Sequence, residues 1–182
     1  MNIPTPTELK AIAAELNKWL PSMQKFHDFC GEHSGTRISL LRRIVKGDAP
    51  LGFKLIGSGY YRAVFTHEAY PGVVFKVAYV GGWENQNREE VRAYKSMNPK
   101  QKYFVPKMLG YSEEFEIVVM ELVKGVTYHN LSEEKKGALY SKLQKLRDDI
   151  FGYEAKGYTC YDFHHNNVMV TPRGRMYLID CA

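Results

Sequence analysis

The spacing of apolar residues near the start of the chain predicts an amphipathic helix over residues 7–20. Its apolar positions recur at intervals of three and four, and so share one helical face: Leu9, Ile12, Leu16 and Leu20. We expect Thr7 to cap this helix and Pro21 to end it. A second helical pattern covers residues 22–46, and a run rich in glycine and proline predicts a loop over 47–52.

Three runs of strand composition follow, separated by turns that contain glycine. They are Phe53–Ile56, Ala63–Thr66 and Val73–Tyr79, and they predict an antiparallel meander. A further short apolar strand is predicted over Ile117–Leu122.

Helical periodicity returns over residues 84–97 and again from Ser132. The second of these helices has a predicted buried stripe: Leu139, Leu143, Leu146 and Ile150. The last elements are two short strands, Val168–Val170 and Met176–Ile179, joined by a turn. Together these elements predict an α+β fold.

The length of 182 residues fits one domain with a sizeable core. No apolar run approaches the roughly 18 to 20 residues that span a bilayer, and the first residues lack a basic and then apolar signal. We therefore expect a cytoplasmic protein without a membrane partner. Cys30, Cys160 and Cys181 show no Cys-x-x-Cys spacing, which argues against a disulfide framework and against a cysteine zinc cage.

The net charge of +5 suits either a nucleic acid or a polyanionic nucleotide as a partner. The basic residues are scattered along the chain, and their densest group is small: Arg42, Arg43 and Lys46. This distribution argues against sequence-specific binding of nucleic acid.

A glycine turn, Gly57-Ser58-Gly59, connects the first two predicted strands. Without side chains at the two glycines, backbone N–H groups can approach phosphate oxygens. The alternative is an ordinary hairpin turn with no ligand.

Lys76 lies on an apolar strand, where its alternation with neighbours places it on one face with Val74 and Ala78. A lysine there requires an opposite charge or a ligand, unless the strand is an edge strand and the lysine reaches water. Glu90, on an inward face of the next helix, is the predicted partner that holds the ammonium for the phosphates of a nucleotide. The alternative for Glu90 is a solvated helix face.

The final hairpin carries the strongest signal. A two-residue turn over 173–174 sets Val168 opposite Ile179 and Asn167 opposite Asp180, with Cβ atoms about 4.5 to 5.5 Å apart. An amide and a carboxylate oxygen at that distance predict a Mg²⁺ site. A plain surface hairpin with polar ends is the alternative.

Asp162 precedes Asn167 by five residues in the connecting loop. Its carboxylate is suited to orient an acceptor hydroxyl or to accept its proton. A zinc cluster of Cys160, Asp162, His164 and His165 is the alternative, although adjacent histidines in an extended loop point apart.

Residues 53–182 resemble the protein-kinase-like superfamily. The resemblance lies in the order of a glycine turn, a strand lysine, a helix glutamate, an apolar strand, Asp-x-x-x-x-Asn and a final Asp. It implies a two-lobed α+β fold: an N-terminal helical extension over 1–52, an N-lobe with an antiparallel sheet over 53–122, and a reduced helical C-lobe over 123–182. His164, two positions after Asp162, is similar to aminoglycoside and choline kinases and to the short protein kinases of lytic tailed bacteriophages. The compact size favours the phage group.

The resemblance also implies ATP and Mg²⁺ as cofactors, with Lys76 and Glu90 as an ion pair and Asp162 as the catalytic aspartate. It makes Asn167 and Asp180 the Mg²⁺ ligands. The nucleotide-binding set comprises the glycine loop, the lysine strand and a hinge whose backbone would hydrogen-bond adenine: Gly57, Ser58, Gly59, Val64, Val74, Lys76, Met120, Glu121 and Leu122.

Three features depart from that superfamily's pattern. Arg62 stands where many kinases have a third glycine, Cys160 replaces the His of His-Arg-Asp, and Cys181-Ala182 stands where Phe-Gly would follow the metal aspartate. We expect no activation segment here and none of the helices that usually bind a peptide substrate. The two N-terminal helices are expected to supply part of the missing support.

The first functional hypothesis is a serine/threonine protein kinase that acts on a protein substrate or a host protein. The alternatives are a small-molecule kinase, suggested by His164, and a pseudokinase or protein-binding inhibitor of a host factor. A binding module has no physical need for a complete phosphate and metal set, so the set favours an enzyme: Lys76, Glu90, Asp162, Asn167 and Asp180.

Overall fold

The computed structural model describes residues 3–20, 25, 28, 41, 49–59, 61–79, 86–151 and 163–180. In these ranges the protein has four α-helices, a five-stranded sheet and a three-stranded sheet. Contacts divide the chain into two compact units, Met1–Arg88 with Met108–Glu121, and Glu89–Lys107 with Leu122–Ala182. The predicted α+β class is therefore confirmed.

Helix α1, Pro6–Trp19, is capped by Thr5 and not by Thr7. The Thr5 backbone N–H donates to Glu8 Oε2 at 2.7 Å, and the Glu8 N–H donates to Thr5 Oγ1 at 3.3 Å. The prediction of Thr7 was wrong because this reciprocal capping box needs a glutamate or glutamine three residues after the cap, where Thr7 has Lys10.

Most of the predicted helix over 22–46 lies outside the described residues, as does the start of the predicted loop at 47–52. The three described residues of that helix, Lys25, Asp28 and Leu41, are helical, and Leu41 is buried. Pro50–Gly52 forms a single 3₁₀ turn that leads into the sheet.

Five antiparallel strands in the order β1-β2-β3-β5-β4 form the sheet of the first unit. β1 (Phe53–Ser58), β2 (Arg62–His67) and β3 (Val73–Ala78) are the predicted meander, and β5 is Ile117–Glu121. β4, Met108–Tyr111, was not predicted because four residues that are all half-buried show no alternation. Because β5 and β4 lie on one side of β3, and β2 and β1 on the other, β3 is the middle strand of the sheet.

The two faces of this sheet have different roles. One face packs with α1 into an apolar core, to which the sheet contributes Ala63, Phe65, Val73, Phe75, Val77, Ile117 and Val119. Leu9 and Leu16 of α1 enter the same core, and the Trp19 ring meets the Phe65 ring edge-on at a centroid distance of 6.2 Å. Burial stabilises the unit by roughly 1.5 to 3 kcal/mol for each large apolar side chain. As predicted, Lys76 lies on the other face of β3.

The second unit combines helices with a three-stranded antiparallel sheet in the order β6-β7-β8. Helix α2 begins in the first unit and continues into the second. The elements in chain order are α2 (Gln86–Ser96), α3 (Pro99–Lys102), β6 (Val126–Thr127), α4 (Glu133–Phe151), β7 (Val168–Val170) and β8 (Met176–Leu178).

Helix α4 buries the stripe that the sequence predicted. Leu143, Leu146 and Ile150 belong to the core of the second unit, and Leu139 packs against it while partly exposed. β8 joins this unit through the Leu178 N–H, which donates to the Phe104 carbonyl at 2.8 Å. No helix in the described ranges has both the length and the apolar character needed to cross a bilayer.

Gly125, just before β6, lies against the backbone of β7. A Cβ atom at this position would come within 2.3 Å of the Val170 carbonyl oxygen and 3.2 Å of the Thr171 Cα. Both neighbours are backbone atoms that a rotamer change cannot move. Gly137, in α4, has nothing within 4 Å of such a Cβ atom.

We expect Gly125→Ala to lower the free energy of unfolding by about 1 to 3 kcal/mol, because the strands must separate to admit the methyl group. The matched control, Gly137→Ala, should raise it by about 0.5 to 1 kcal/mol through helix propensity. Urea unfolding of the two variants and the wild type measures both effects. Equal stability of all three proteins would contradict the close approach at Gly125.

Candidate functional site

Lys76 occupies the centre of the five-stranded sheet. It pairs with Val64 of β2 on one side and with Val118 of β5 on the other, and it is only 6% exposed. The alternative of a lysine on an edge strand that reaches water is therefore wrong. A buried ammonium in this position requires compensating negative charge, from the protein or from a ligand.

Four of the predicted nucleotide-binding residues share this face of the sheet: Val64, Val74, Lys76 and Met120. Gly57 pairs with Val64, which pairs with Lys76, so the three lie in one row across neighbouring strands. Directly opposed residues point to the same side of a sheet, so Val64 shares the face of Lys76, as does Val74 with its cross-strand partner Met120.

The fold gives no steric reason for glycine at positions 57 and 59. A Cβ atom on Gly57 would lie 3.6 Å from the Val64 Cβ, an ordinary contact, and one on Gly59 would meet only the Arg62 carbonyl oxygen at 3.9 Å. Neither glycine has a positive φ angle. Between them, the Ser58 hydroxyl oxygen is buried and has no hydrogen-bond partner in the described part of the chain. These features suit a turn that is open to a ligand.

The residues of the predicted hinge lie at the end of β5 in the same sheet. Met120 and Glu121 are the last residues of β5, and Leu122 is the first residue after it. Met120 is buried, Glu121 is exposed and Leu122 is half-buried. Met120 and Glu121 still pair with Val74 and Val73 of β3, and the backbone leaves the sheet at Leu122.

Glu90 is 1% exposed on α2, so the alternative of a solvated helix face is wrong. Its neighbour Glu89 is half-exposed and pairs with Arg92 at 2.8 Å, as expected for a residue that points elsewhere. The ion pair between Lys76 and Glu90 stays a prediction.

A buried network around Asn87 was not predicted. The Asn87 side-chain amide donates to three carbonyl oxygens: Lys76 at 3.1 Å, Phe115 at 2.9 Å and Glu116 at 3.0 Å. Arg62 Nη1 donates to the Asn87 side-chain oxygen at 3.2 Å. Asn87 is 0% exposed and Arg62 is 2% exposed. The only available signal in the sequence was the unusual Arg62 at the end of the glycine turn.

The hairpin of β7 and β8 exists, but its register differs from the prediction by one residue. Val168 pairs with Leu178 and not with Ile179. Asn167 instead lies opposite Ile179, whose N–H donates to the Asn167 carbonyl at 2.8 Å. The predicted cross-strand pair of Asn167 and Asp180 is therefore wrong.

Pro172 explains the difference in register. A two-residue turn at 173–174 would place residue 172 in the ladder, where proline has no N–H to donate. The turn has three residues instead, closed by the Thr171 N–H to the Arg175 carbonyl at 2.9 Å. Gly174, with φ of 73°, adopts the left-handed conformation that such a turn requires.

The observed register removes the cross-strand pairing that argued for a metal site, while the two predicted ligands are still present. Asp180 lies one position beyond the Asn167–Ile179 pair, so opposed Cβ atoms no longer bring the two side chains together. Asn167 and Asp180 are both half-buried and offer the oxygen ligands that Mg²⁺ prefers. They stay predicted ligands. No group of three or more His, Cys, Asp and Glu side chains that could hold a metal occurs among the described residues.

Asp162, the predicted catalytic aspartate, lies outside the described residues, as does Cys160. The described part of this loop is fixed by local hydrogen bonds. The Asn167 N–H donates to the His164 carbonyl at 2.8 Å, and the Asn166 N–H donates to His164 Nδ1 at 3.2 Å. The zinc alternative, which needs both residues outside the description, stays an alternative.

Tyr128 connects this loop to α4. Its hydroxyl donates to the Lys136 carbonyl at 2.7 Å, and its ring lies against the His165 ring at a centroid distance of 5.0 Å. The next residue, His129, donates its N–H to the His165 carbonyl at 3.1 Å. Burial raises the pKa of the Tyr128 phenol, because the phenolate would lose its water.

Comparisons with known proteins add no family to this geometry. No protein-family model matches the chain, and no curated protein matches it. The contacts described above and the resemblance of the motifs are therefore the basis for a function.

A pocket of about 260 Å³ in the second unit involves none of the predicted site residues. It lies between β6, the end of β7 with the turn that leads to β8, and the first half of α4 with the residues just before it. Its lining is mostly apolar: Gly125, Val126, Leu131, Lys135, Leu139, Val170, Thr171, Pro172 and Gly174.

We expect Tyr128→Phe to lower the free energy of unfolding by about 0.5 to 1.5 kcal/mol at neutral pH, because the Lys136 carbonyl loses a donor. The pKa of Tyr128 is higher in the folded protein than in the unfolded chain, where it is about 10. Its contribution is therefore complete below about pH 10 and is lost as the pH rises through the folded value.

Urea unfolding between pH 7 and 11 should thus show that the stability gap between the wild type and Tyr128→Phe narrows at alkaline pH. Tyr103→Phe, which alters an exposed tyrosine of the second unit, is the matched control and should behave as the wild type. A gap that stays constant across this range would contradict the burial of the Tyr128 phenol.

Proposed function

We propose that this chain is an ATP- and Mg²⁺-dependent phosphotransferase with a two-lobed protein-kinase-like fold. Its best-supported activity is that of a serine/threonine protein kinase of the compact phage type. One observation carries the proposal: Lys76 is buried in the middle strand, in the same row as a glycine turn whose glycines the packing does not require.

The first unit supplies the features of a nucleotide-binding face. Gly57 and Gly59 carry no side chain that would keep phosphate oxygens from the backbone of the turn, and the Lys76 ammonium suits the α- and β-phosphates. Val64, Val74 and Met120 add apolar surface on the same face of the sheet, as an adenine ring requires.

The second unit supplies the residues proposed for the reacting end. Asn167 and Asp180 would hold Mg²⁺, which when bound neutralises charge on the phosphates. The Asp162 carboxylate orients the acceptor hydroxyl and takes its proton. The hydroxyl oxygen forms a bond to the γ-phosphorus, the bond from that phosphorus to the bridging oxygen breaks, and ADP leaves with the bonding electron pair.

Nucleotide binding provides the first test. ATP with Mg²⁺ should raise the melting temperature of the wild type, since a ligand at one hundred times its Kd adds about 2.7 kcal/mol of stability. Lys76→Met keeps the length of the side chain but removes the charge, so the variant should fold and lose most of this shift. An equal shift in the wild type and in Lys76→Met would remove Lys76 from the site.

Phosphoryl transfer provides the second test. Asp162→Asn and Asp180→Asn should abolish the transfer of ³²P from labelled ATP to protein substrates while the proteins stay folded. Asp148→Asn changes an exposed aspartate of α4 and is the matched control. Transfer to hydroxylated metabolites alone would favour a small-molecule kinase, and ATP binding without any transfer would favour a pseudokinase.

The glycine turn gives a prediction that separates binding from folding. We expect Gly57→Ala and Gly59→Ala to change the free energy of unfolding by no more than about 0.5 kcal/mol, because each methyl group has room. Each should weaken ATP binding by about tenfold or more, which is 1.4 kcal/mol, because the methyl group obstructs a phosphate. Calorimetric titration measures the affinity, with Gly137→Ala as the control. Unchanged affinity in both variants would leave only an ordinary hairpin turn.

A further inference from the structure

Arg62 is a charged residue that is almost completely buried. It is the first residue of β2, three positions after the last glycine of the turn, and it pairs with Ala78 of β3. Because opposed residues share a face, Arg62 lies on the same face of the sheet as Lys76. Lys76 is two residues from Ala78, so the two cations are diagonal neighbours with Cα atoms about 7 to 8 Å apart.

Two cations at this distance repel each other unless each is held by acceptors. Arg62 Nη1 has one such acceptor in the side-chain oxygen of Asn87, at 3.2 Å. The guanidinium is therefore directed toward the beginning of α2 by a buried hydrogen bond.

Asn87 connects three parts of the first unit. Its single NH₂ group faces the carbonyl oxygens of Lys76 in β3, and of Phe115 and Glu116 just before β5, all within 3.1 Å. Asn87 itself is in the first turn of α2, and Glu90 follows it by three residues on the same helix. The amide thus fixes the backbone of the lysine strand relative to the start of the helix that bears Glu90.

We infer that Arg62 and Asn87 are positioning residues that hold the Lys76 backbone and the start of α2 in the geometry needed for phosphoryl transfer. This inference rests on the proposed function. Asn87 makes the connection, and Arg62 keeps the Asn87 side chain in the orientation that directs its NH₂ group at the carbonyl oxygens. Neither residue needs to touch the nucleotide for this role.

A positioning role lowers kcat and leaves the KM for ATP nearly unchanged, whereas a purely structural role would not separate these two constants. Displacing a catalytic group by about 1 Å lowers the rate by up to about a hundredfold, while ground-state binding changes far less. Arg62→Met should therefore lower kcat by about tenfold or more, with the KM for ATP within about threefold of the wild type. Arg62→Lys keeps a donor for the Asn87 oxygen and should recover at least part of the lost kcat.

The control variant is Arg92→Met, which removes an exposed arginine from the same helix α2 and should leave kcat unchanged. Each assay is run well below the melting temperature of the variant and normalised to folded protein. If Arg62→Met does not fold, Arg62→Gln replaces it, because the shorter uncharged side chain also removes the guanidinium donor from Asn87. A kcat equal to the wild type in Arg62→Met, or in Arg62→Gln where only that variant folds, overturns the inference.

Hydrogen exchange gives a readout that does not depend on activity. Arg62→Met should increase amide exchange in residues 86–96 and 73–78, because both segments lose a shared anchor. An inactive wild type would overturn the proposed function and, with it, the catalytic part of this inference, while increased exchange would still support the anchor. Unchanged exchange in both segments overturns the anchor, even if the wild type transfers phosphate.

Discussion

A positive charge held inside the middle strand of a sheet is the constraint on which the candidate site depends. Taking an ammonium ion out of water costs several kcal/mol unless negative charge or strong acceptors replace the water. The face that carries Lys76 also carries Arg62, which increases the demand for compensation. An apolar residue at position 76 would satisfy the sheet at no such cost, which is why the proposed function gives the ammonium a role.

The two faces of the sheet divide the roles of the first unit. α1 closes one face with aliphatic and aromatic side chains, and the stability of the unit derives largely from that side. The opposite face is thereby free to carry charged residues and an open glycine turn.

The sequence was sufficient for elements with a strong periodic pattern and insufficient where hydrogen-bond geometry decides. The meander and the buried stripe of α4 follow from alternation and from helical spacing, and both were predicted. The position of Lys76 was predicted to a face, but only the unpredicted strand β4, which makes β5 an inner strand, completes the five-stranded sheet around it. The predicted register of the last hairpin was wrong because Pro172 has no N–H to donate to the ladder. The Asn87 network could not be predicted, because its partners are carbonyl groups that every residue has.

The three-residue turn of the last hairpin also limits how this protein can change over time. Side chains alternate between the sides of a strand, so one residue added to or removed from the exposed segment 172–174 would move Met176 and Leu178 from the core to the solvent. The same change would also move Asp180 by one residue relative to Asn167 on the opposite strand. The length of this segment is thus under stronger constraint than the identity of the exposed Arg173, and descendants of this gene should tolerate replacements at that position far better than insertions beside it.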